Sequence, residues 1–334
     1  MSFQVQIEGG ACFSAEAGES VLEAAERNGI AMPHDCRMGG CGTCRIRLVS
    51  GAVQYEEEPF GLSPEEAEQG YALACQARPQ GDLVIAPGRV QELPQTQSTT
   101  ATIQQIKRVT EGVVHLVLET PEPVDYLAGQ YLNIHLGDGE PRSFSMAGAP
   151  GKTLLDFHVR RVPGGRFTEQ QLDAAQPGQT LQVEVPVGSF YLRKEDYRPL
   201  LMVATGTGIA PIRAILETLL DDEDCPPVWL YWGMRTEADL WLAEEFAAWK
   251  DRLYDFQFIP VLSHEGDAWS GRRGFVQDAI AEDFDDLSEH AIYLCGVPDM
   301  VRQAKDKFLS LNASADHIYA DSFSYAAPAQ QKAA

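Results

Sequence analysis

The sequence predicts a multidomain protein in which an α+β domain, an antiparallel β-barrel domain and a doubly wound α/β domain follow one another. The chain has 334 residues, which is too long for one ordinary hydrophobic core and enough for two or three domains. Residues 102–195 contain short apolar stretches separated by Gly and Pro, as in a small barrel or sandwich. From residue 199, apolar strands alternate with helical patterns, which is typical of a parallel sheet with helices on both faces.

Composition and charge narrow the class of protein. The sequence is 44% hydrophobic and 22% charged, as is usual for a globular chain. Its formal net charge of −23 argues against nucleic acid, whose phosphates it would repel. We find no signal peptide and no run of eighteen apolar residues, so we expect a cytoplasmic protein without a membrane span. In that compartment the seven cysteines are not expected to form a disulfide framework. We also expect a monomer, although no residue pattern indicates the oligomeric state.

The first domain is predicted over residues 1–92. It begins with a strand, FQVQIE, and a helix, ESVLEAAERNG, that Ser20 can cap and Gly29 can end. After a cysteine-rich loop come a strand, CRIRLVSG, and a helical stretch, SPEEAEQGYA. The polar, proline-bearing stretch 87–101 predicts a linker, so we place the second domain at 99–195 and the third at 196–334.

The third domain should hold five strands, with helices between them. The predicted strands are PLLMVA, PVWLYWG, FQFIPVL, AIYLCG and HIYADSF. Two of the predicted helices are APIRAILETLL and DMVRQAKDKFLSL.

The loop HDCRMGGCGTC carries three cysteines, and a fourth follows further along the chain. The predicted ligand set is Cys36, Cys41, Cys44 and Cys75. Its spacing, C-x4-C-x2-C-x30-C, is the plant-type pattern of four thiolates around a [2Fe–2S] cluster. Glycines at 39, 40 and 42 keep side chains away from the cluster and tolerate the backbone angles that wrapping around it demands.

Zinc is the main alternative for these thiols. Structural zinc usually uses two paired C-x2-C knuckles, and here the fourth cysteine stands alone. A Rieske centre needs two histidine ligands, yet His34 is the only histidine before residue 115. The pattern therefore favours the plant-type cluster.

The sequence RSFS, at residues 142–145, resembles the R-x-[YF]-S motif of ferredoxin–NADP reductase-like flavoproteins. In that family the Arg pairs with the flavin pyrophosphate, the aromatic ring packs on the isoalloxazine and the Ser lies near flavin N5. Arg142, Phe144 and Ser145 match these positions, with Phe where Tyr is commoner. A guanidinium suits a phosphate, but an exposed Arg on a strand is also ordinary.

The sequence HVRRVPGGRFT, at 158–168, continues this resemblance. Backbone amides after Gly164 and Gly165 could hold a phosphate, with Thr168 capping the helix that follows. A plain turn into a helix is the alternative. The flavin-binding residues that the resemblance implies are Arg142, Ser143, Phe144, Ser145, His158, Val159, Arg160, Gly164, Gly165, Arg166, Phe167 and Thr168.

The sequence LLMVATGTGIAPIRAIL, at 200–216, predicts a buried strand that runs into a glycine turn and a helix. A dinucleotide pyrophosphate can be held by the free N–H groups at the start of such a helix. The turn lacks the G-x-G-x-x-G fingerprint of ordinary Rossmann dehydrogenases. It instead resembles the G-T-G-I-A-P loop of the same reductase family.

Two further stretches resemble that family. YLCGVPDM is similar to its C-G-x-P-x-M signature, in which the Cys lies beside the nicotinamide, and Phe323 matches an aromatic residue that shields the flavin. Both could also be ordinary packing residues. The predicted nicotinamide-side residues are Gly206, Thr207, Gly208, Ile209, Pro211, Gly233, Glu237, Asp239, Cys295, Gly296 and Phe323, and the predicted catalytic residues are Ser145 and Cys295.

The order of the motifs resembles the reductase components of bacterial aromatic-ring dioxygenases and hydroxylases. This implies a β-grasp ferredoxin domain, an FAD-binding barrel and a nicotinamide domain. It also implies that hydride from NADH reaches FAD and that single electrons leave through the [2Fe–2S] cluster to a terminal oxygenase. The alternatives are a reductase for a deoxysugar dehydrase and a non-catalytic redox-sensing module, although the latter predicts damaged motifs.

The choice of FAD over FMN and the choice of NADH over NADPH depend on less evidence than the cofactor classes themselves. FAD over FMN follows from the architecture of the family alone. NADH over NADPH follows from Glu237 and Asp239, which could bind a ribose diol and repel a 2′-phosphate, although Arg235 could attract that phosphate.

Overall fold

Three main sheets organise the chain. The structure is a computed structural model and describes residues 2–30, 32–34, 37–40, 42–87, 93–137, 141–265 and 269–323. One hydrophobic core lies on the first sheet, a second lies inside the next sheet, and two cores cover the opposite faces of the last. Across the described residues, no helix combines the length and the apolar character that crossing a membrane requires.

The first domain is a mixed sheet with two short helices. Its elements are β1 (Ser2–Ile7), β2 (Cys12–Glu16), α1 (Val21–Arg27), β3 (Arg45–Ser50), β4 (Val53–Gln54), α2 (Pro64–Glu68), β5 (Tyr71–Leu73), β6 (Arg78–Pro79) and β7 (Leu83–Pro87). The main sheet has the order β2-β1-β7-β3-β5, with β1 and β7 parallel. This arrangement is the β-grasp predicted from the family resemblance.

Helix α1 begins where the sequence predicts. The Ser20 hydroxyl accepts a hydrogen bond from the Glu23 amide, and the Glu23 carboxylate accepts one from the Ser20 amide. This reciprocal capping satisfies two amides that the helix itself cannot pair. The predicted helix SPEEAEQGYA is wrong in its second half, because Gly70 has a φ of +85° and the chain then enters β5.

The second domain is an antiparallel barrel. Its strands are β8 (Gln97–Arg108), β9 (Val113–Glu119), β10 (Tyr131–His135), β11 (Arg142–Ser145), β12 (Leu154–Arg160) and β13 (Thr180–Val187). Their order is β11-β10-β13-β8-β9-β12, and the Ala147 amide donates to the Asp156 carbonyl at 2.8 Å, which joins the two edge strands.

Strand β8 corrects one sequence prediction. Residues 97–101 were predicted as part of a linker, but they pair with β13 in a regular antiparallel register. Ala101 and Ile103 on this strand are buried in the barrel core. The strand begins two residues before the predicted boundary at 99, and the domain boundaries stay predictions.

The third domain is a parallel sheet with helices on both faces. Its elements are β14 (Leu200–Thr205), α3 (Ile209–Leu219), β15 (Val228–Met234), α4 (Ala243–Ala248), β16 (Phe256–Leu262), β17 (Arg272–Arg273), α5 (Val276–Asp283), β18 (Ala291–Gly296), α6 (Pro298–Ser310) and β19 (Ile318–Ser322). The order is β17-β16-β15-β14-β18-β19, and all neighbours are parallel. The five predicted strands match β14, β15, β16, β18 and β19 to within a residue at either end. The chain order reverses between β14 and β18, which is where doubly wound sheets bind nucleotides.

A buried ion pair joins the first domain to the third. Lys305 Nζ, on α6, lies 2.8 Å from the Glu66 carboxylate of α2 and also donates to the Gly61 carbonyl at 2.8 Å. The Lys305 and Glu66 side chains are 8% and 1% exposed. Arg45 holds the other Glu66 oxygen at 2.7 Å and reaches Asp316 of the third domain at 3.3 Å.

Candidate functional site

Two of the four predicted cluster ligands lie at the ends of neighbouring strands. Cys44 directly precedes β3 and Cys75 follows β5, and the Ala74 amide donates to the Cys44 carbonyl at 2.9 Å. The pairing of β3 with β5 therefore brings both residues to the same end of the strand pair. Both are buried and neither forms a disulfide. Cys36 and Cys41 lie outside the described residues, so the four-thiolate set stays a prediction.

The backbone around these cysteines has the form that a wrapped cluster needs. Gly39 and Gly42 have φ of +69° and +80°, a region that L side chains adopt rarely. A Cβ atom on Gly39 would come within 2.8 Å of Pro59 Cβ. The loop thus packs with no room for a side chain at Gly39, and this fits a loop built around a compact inorganic group.

The predicted flavin residues come from two strands that meet where the barrel closes. Strand β11 carries Arg142–Ser145, strand β12 carries His158–Arg160, and the hydrogen bond from Ala147 to Asp156 joins the two strands. Phe144 and Phe167 pack with ring centroids 5.1 Å apart. An aromatic pair beside these strands fits the flat ring system of an isoalloxazine, and its role in flavin binding stays a prediction.

Some predicted flavin residues have other partners. The Ser143 hydroxyl donates to the Asn133 side chain at 2.7 Å, and Val159 points into the barrel core with no exposed surface. Arg160 is exposed at the end of β12. For Arg166 the side chain lies outside the described part of the chain. Any contact between Val159 and a cofactor must therefore come from its backbone.

The turn before residue 168 corrects the prediction for Thr168. A short helical turn follows over Arg166–Gln171, and no side chain caps it. The Thr168 hydroxyl instead accepts a hydrogen bond from the Val162 amide at 3.1 Å, and the Gly165 amide donates to the Val162 carbonyl. A Cβ on Gly165 would meet that same hydroxyl at 2.4 Å. Thr168 therefore stabilises the tight turn rather than the helix start.

The predicted nicotinamide loop lies at the carboxyl ends of the central strands. Residues Gly206–Gly208 form one tight turn between β14 and α3, and Pro211 lies in the first turn of that helix. A Cβ on Gly208 would come within 2.3 Å of the Cys295 carbonyl oxygen. The backbones of the turn and of β18 thus touch, and the binding of a phosphate at this turn stays a prediction.

Cys295 and Phe323 lie beside this turn. Cys295 has no exposed surface, and burial raises the pKa of its thiol well above the usual value. The thiol is therefore protonated at neutral pH. The Phe323 amide donates to the Gly296 carbonyl at 2.8 Å, and the Phe323 ring packs on the same core as Cys295. The catalytic roles of Ser145 and Cys295 stay predictions.

The two carboxylates proposed for the ribose differ in their surroundings. The Asp239 carboxylate accepts hydrogen bonds from the Thr236 amide at 3.2 Å and the Thr236 hydroxyl at 2.9 Å. Glu237 is exposed on the same short turn after β15. Asp239 thus stabilises the turn, and Glu237 is the better placed of the two to meet a ribose.

Contacts from α3 hold the barrel against the third domain. The Ala149 amide donates to the Glu217 carboxylate at 2.9 Å, and the Arg213 guanidinium donates to the Ala147 carbonyl. Residues 147–149 directly follow β11, which carries RSFS. The helix that starts at the nicotinamide turn is therefore tied to the strand predicted to bind the flavin.

Comparison with known proteins agrees with this arrangement. The 2Fe-2S iron-sulfur cluster binding domain family matches residues 5–80, the oxidoreductase FAD-binding domain family matches 100–191, and the oxidoreductase NAD-binding domain family matches 202–306. Terephthalate 1,2-dioxygenase reductase component 1 of Comamonas is 34% identical, over 97% of this chain and 98% of the relative. The chain belongs to the three-domain iron–sulfur flavoprotein reductases. This family includes the reductase components of aromatic oxygenases.

Two further relatives show the range of this reductase family. The CDP-6-deoxy-L-threo-D-glycero-4-hexulose-3-dehydrase reductase of Yersinia pseudotuberculosis is 32% identical, over 97% of this chain and 99% of the relative. The crystal structure of the Amycolatopsis cytochrome P450 reductase GcoB has a TM-score of 0.72 and 35% identity, over 96% of this chain and 98% of that chain. The predicted fold class, enzyme class and cofactors, with [2Fe–2S], FAD and NAD domains, are confirmed. The residues that bind each cofactor stay predictions.

Sequence patterns did not reveal an aromatic chain that links the flavin and nicotinamide sides of this reductase. The rings of His158 and Trp241 lie 5.6 Å apart, and those of Trp241 and Trp232 lie 4.8 Å apart. The buried Trp232 indole donates to the Gly206 carbonyl at 3.0 Å, which fixes the start of the turn.

The buried Thr205 hydroxyl has no hydrogen-bond partner among the described residues. Its position immediately before G-T-G is the signal that could have added Thr205 to the candidate dinucleotide-binding residues.

Proposed function

We propose that this reductase carries electrons from NADH to a terminal oxygenase that acts on an aromatic substrate. The observation that carries the proposal is the full-length similarity to terephthalate dioxygenase reductase and to the P450 reductase, both named for oxygenase systems. When bound, FAD accepts a hydride and releases electrons singly, which suits a one-electron cluster. We place this chemistry in the cytoplasm and expect the reductase to act as a monomer.

The chain's own residues have distinct tasks in this proposal. The turn Gly206–Gly208 offers backbone N–H groups to the dinucleotide pyrophosphate, and Arg142 provides a guanidinium for the flavin pyrophosphate. The α3 contacts to residues 147–149 fix the positions of these two sites relative to each other. Cys44 and Cys75, with Cys36 and Cys41, provide the thiolates that a [2Fe–2S] cluster requires.

The nucleotide preference follows from charge. Glu237 is exposed where a ribose would lie, so we expect NADH to be preferred because a 2′-phosphate would be repelled. Steady-state assays with NADH and NADPH measure this preference. A higher kcat/KM with NADPH would contradict this expectation and would indicate that Arg235 attracts the 2′-phosphate.

The position of the cluster in the electron path is tested by Cys44→Ser. A hydroxyl stays protonated at neutral pH and is a poor ligand for iron, so the variant should lose or perturb its cluster. Because the FAD and NAD sites lie in other domains, it should keep NADH oxidation with ferricyanide and lose cytochrome c reduction. Equal loss of both activities in a folded, flavin-loaded variant would show that the cluster is not the exit.

The terminal acceptor is tested by isolating it. Tagged holoprotein is used to capture partners, and each captured protein is assayed for NADH- and aromatic-substrate-dependent oxygen consumption. Oxygen consumption supports the proposal. A captured dehydrase that turns over a CDP-deoxyhexulose with NADH and this reductase would instead establish the function named for the Yersinia relative.

A further inference from the structure

Two large apolar side chains are exposed at the cysteine loop, one within it and one beside it. Met38 is 58% exposed and Phe60 is 67% exposed, and both lie in the first domain. Single exposed apolar side chains are ordinary, but two large ones at one place form an apolar patch, which indicates a contact surface.

The backbone shows that Met38 and Phe60 belong to one surface. The Gly61 amide donates to the Gly39 carbonyl at 2.7 Å, so the segments that carry the two side chains lie against each other. The Gln76 side chain, which follows Cys75, donates to the Arg37 carbonyl at 2.7 Å. The surface therefore adjoins the loop that carries the predicted cluster ligands.

Acidic side chains border this apolar pair. Glu57 and Glu58 are exposed shortly before Phe60, and neither forms an ion pair with any residue in the described ranges. The two nearby guanidiniums are already neutralised, since Arg37 pairs with Glu26 and Arg78 with Glu56. The border is thus negative, like the chain as a whole.

We propose that Met38 and Phe60, with Glu57 and Glu58 at their edge, form the docking surface for the electron acceptor. The partner is a protein whose redox centre lies behind an apolar recess bordered by Lys or Arg. Apolar contact at the centre and opposite charges at the rim give a specific but short-lived complex, as turnover requires. This inference rests on the proposed function, in which electrons leave from the cluster.

The apolar part of the surface is tested by Phe60→Ser in the full-length holoprotein. Cytochrome c, a basic haem protein, is the probe, and ferricyanide, which needs no docking surface, is the reference acceptor. We expect kcat/KM for cytochrome c to fall on the order of fivefold to tenfold, with ferricyanide activity, flavin and iron content unchanged. Tyr254→Ser removes an aromatic side chain that is 65% exposed in the third domain and should change neither activity.

The charged part is tested by reversing both carboxylates, Glu57→Lys with Glu58→Lys. At low salt, kcat/KM for cytochrome c should fall, and the difference from the wild type should vanish at high salt because exposed charges are screened. The matched control is Glu223→Lys with Asp224→Lys, which changes the net charge equally at an exposed acidic run of the third domain. The control should keep the wild-type rate.

The outcomes separate this proposal from the function on which it rests. An unchanged rate in Phe60→Ser, or equal loss in the two charge-reversed variants, would overturn the docking surface. If Cys44→Ser still reduced cytochrome c, electrons would not leave through the cluster and the proposed function itself would fail.

Discussion

At the scale of single residues, His158 is held neutral by its surroundings. Burial lowers the pKa of His158 to about 3, and the neighbouring His115 and Arg213 charges act in the same direction. The Asp156 carboxylate opposes this shift. The ring packs against Trp241 and His115, with centroid distances of 5.6 and 5.4 Å, so the space around it is crowded.

The lowered pKa of His158 makes the free energy of unfolding depend on pH, and its direction fixes the sign of that dependence. Between pH 6.5 and about 3, the unfolded chain binds a proton at His158 that the folded chain does not, so the free energy of unfolding falls as the pH falls. We expect His158→Gln to flatten this dependence between pH 7 and pH 5, as measured by urea unfolding. His135→Gln changes an exposed residue on β10 and should keep the wild-type slope. An unaltered slope in His158→Gln would contradict the assignment.

At the scale of elements, the contact between the glycine turn and β18 leaves no space for a methyl group. A Cβ on Gly208 would meet the Cys295 carbonyl oxygen at 2.3 Å and the Cys295 carbonyl carbon at 2.6 Å, and neither backbone atom can move alone. We therefore expect Gly208→Ala to force the turn away from the sheet, which raises KM for NADH and lowers Tm. Overpacking of this kind typically costs about 1–3 kcal/mol.

A matched substitution provides the control for Gly208→Ala. Gly112, in the turn between β8 and β9, has open space around its Cα, so Gly112→Ala should leave KM and Tm unchanged. Thermal melting and NADH titration of both variants make the comparison. A Gly208→Ala variant with wild-type KM and Tm would show that the turn has room to adapt.

The third domain was the most predictable part of the fold, because its central strands β14, β15 and β18 are largely buried on both faces and are therefore almost continuously apolar. FQFIPVL and AIYLCG match β16 and β18 at both ends. Strand β8 was missed because it starts with polar residues, and only its pairing with β13 makes Thr99 and Thr100 part of a sheet. Local sequence contains no information on such a distant partner.

The candidate site was predictable where a motif carries its own chemistry. The cysteine spacing and G-T-G-I-A-P gave the cofactor classes, since ligand number and backbone amides follow from sequence order. The partner of Thr168 was not predictable, because the distance to the Val162 amide depends on how the turn folds. For the same reason the sequence could not show that Asp239 bonds Thr236.

At the scale of the whole molecule, Lys305 holds the ferredoxin domain in place. Removing Lys305 leaves the buried Glu66 carboxylate with Arg45 as its cationic partner and takes away the ion pair between α6 and the first domain. We expect Lys305→Met to weaken this docking and to slow cluster reduction after mixing with NADH, while ferricyanide reduction by the flavin stays normal. Stopped-flow absorbance measures the two steps separately.

Lys307→Met is the control on the same helix. Lys307 pairs with Asp278, which belongs to the third domain as well, so no contact between domains is lost. Wild-type cluster reduction is expected for this variant. If the two variants slowed it equally, the effect would belong to helix α6 and not to the docking of the ferredoxin domain.

The same ion pair restricts how this protein can exchange parts with its relatives. Glu66 and Lys305 are far apart in sequence, and both are buried where their domains meet. A chimera that takes its ferredoxin domain from another reductase would set a foreign side chain against Lys305. Unless the graft brings a carboxylate to this position, it would leave a buried ammonium group unpaired. A chimera joined at the linker therefore requires residues 66 and 305 to come from the same parent protein, although they lie far apart in the gene.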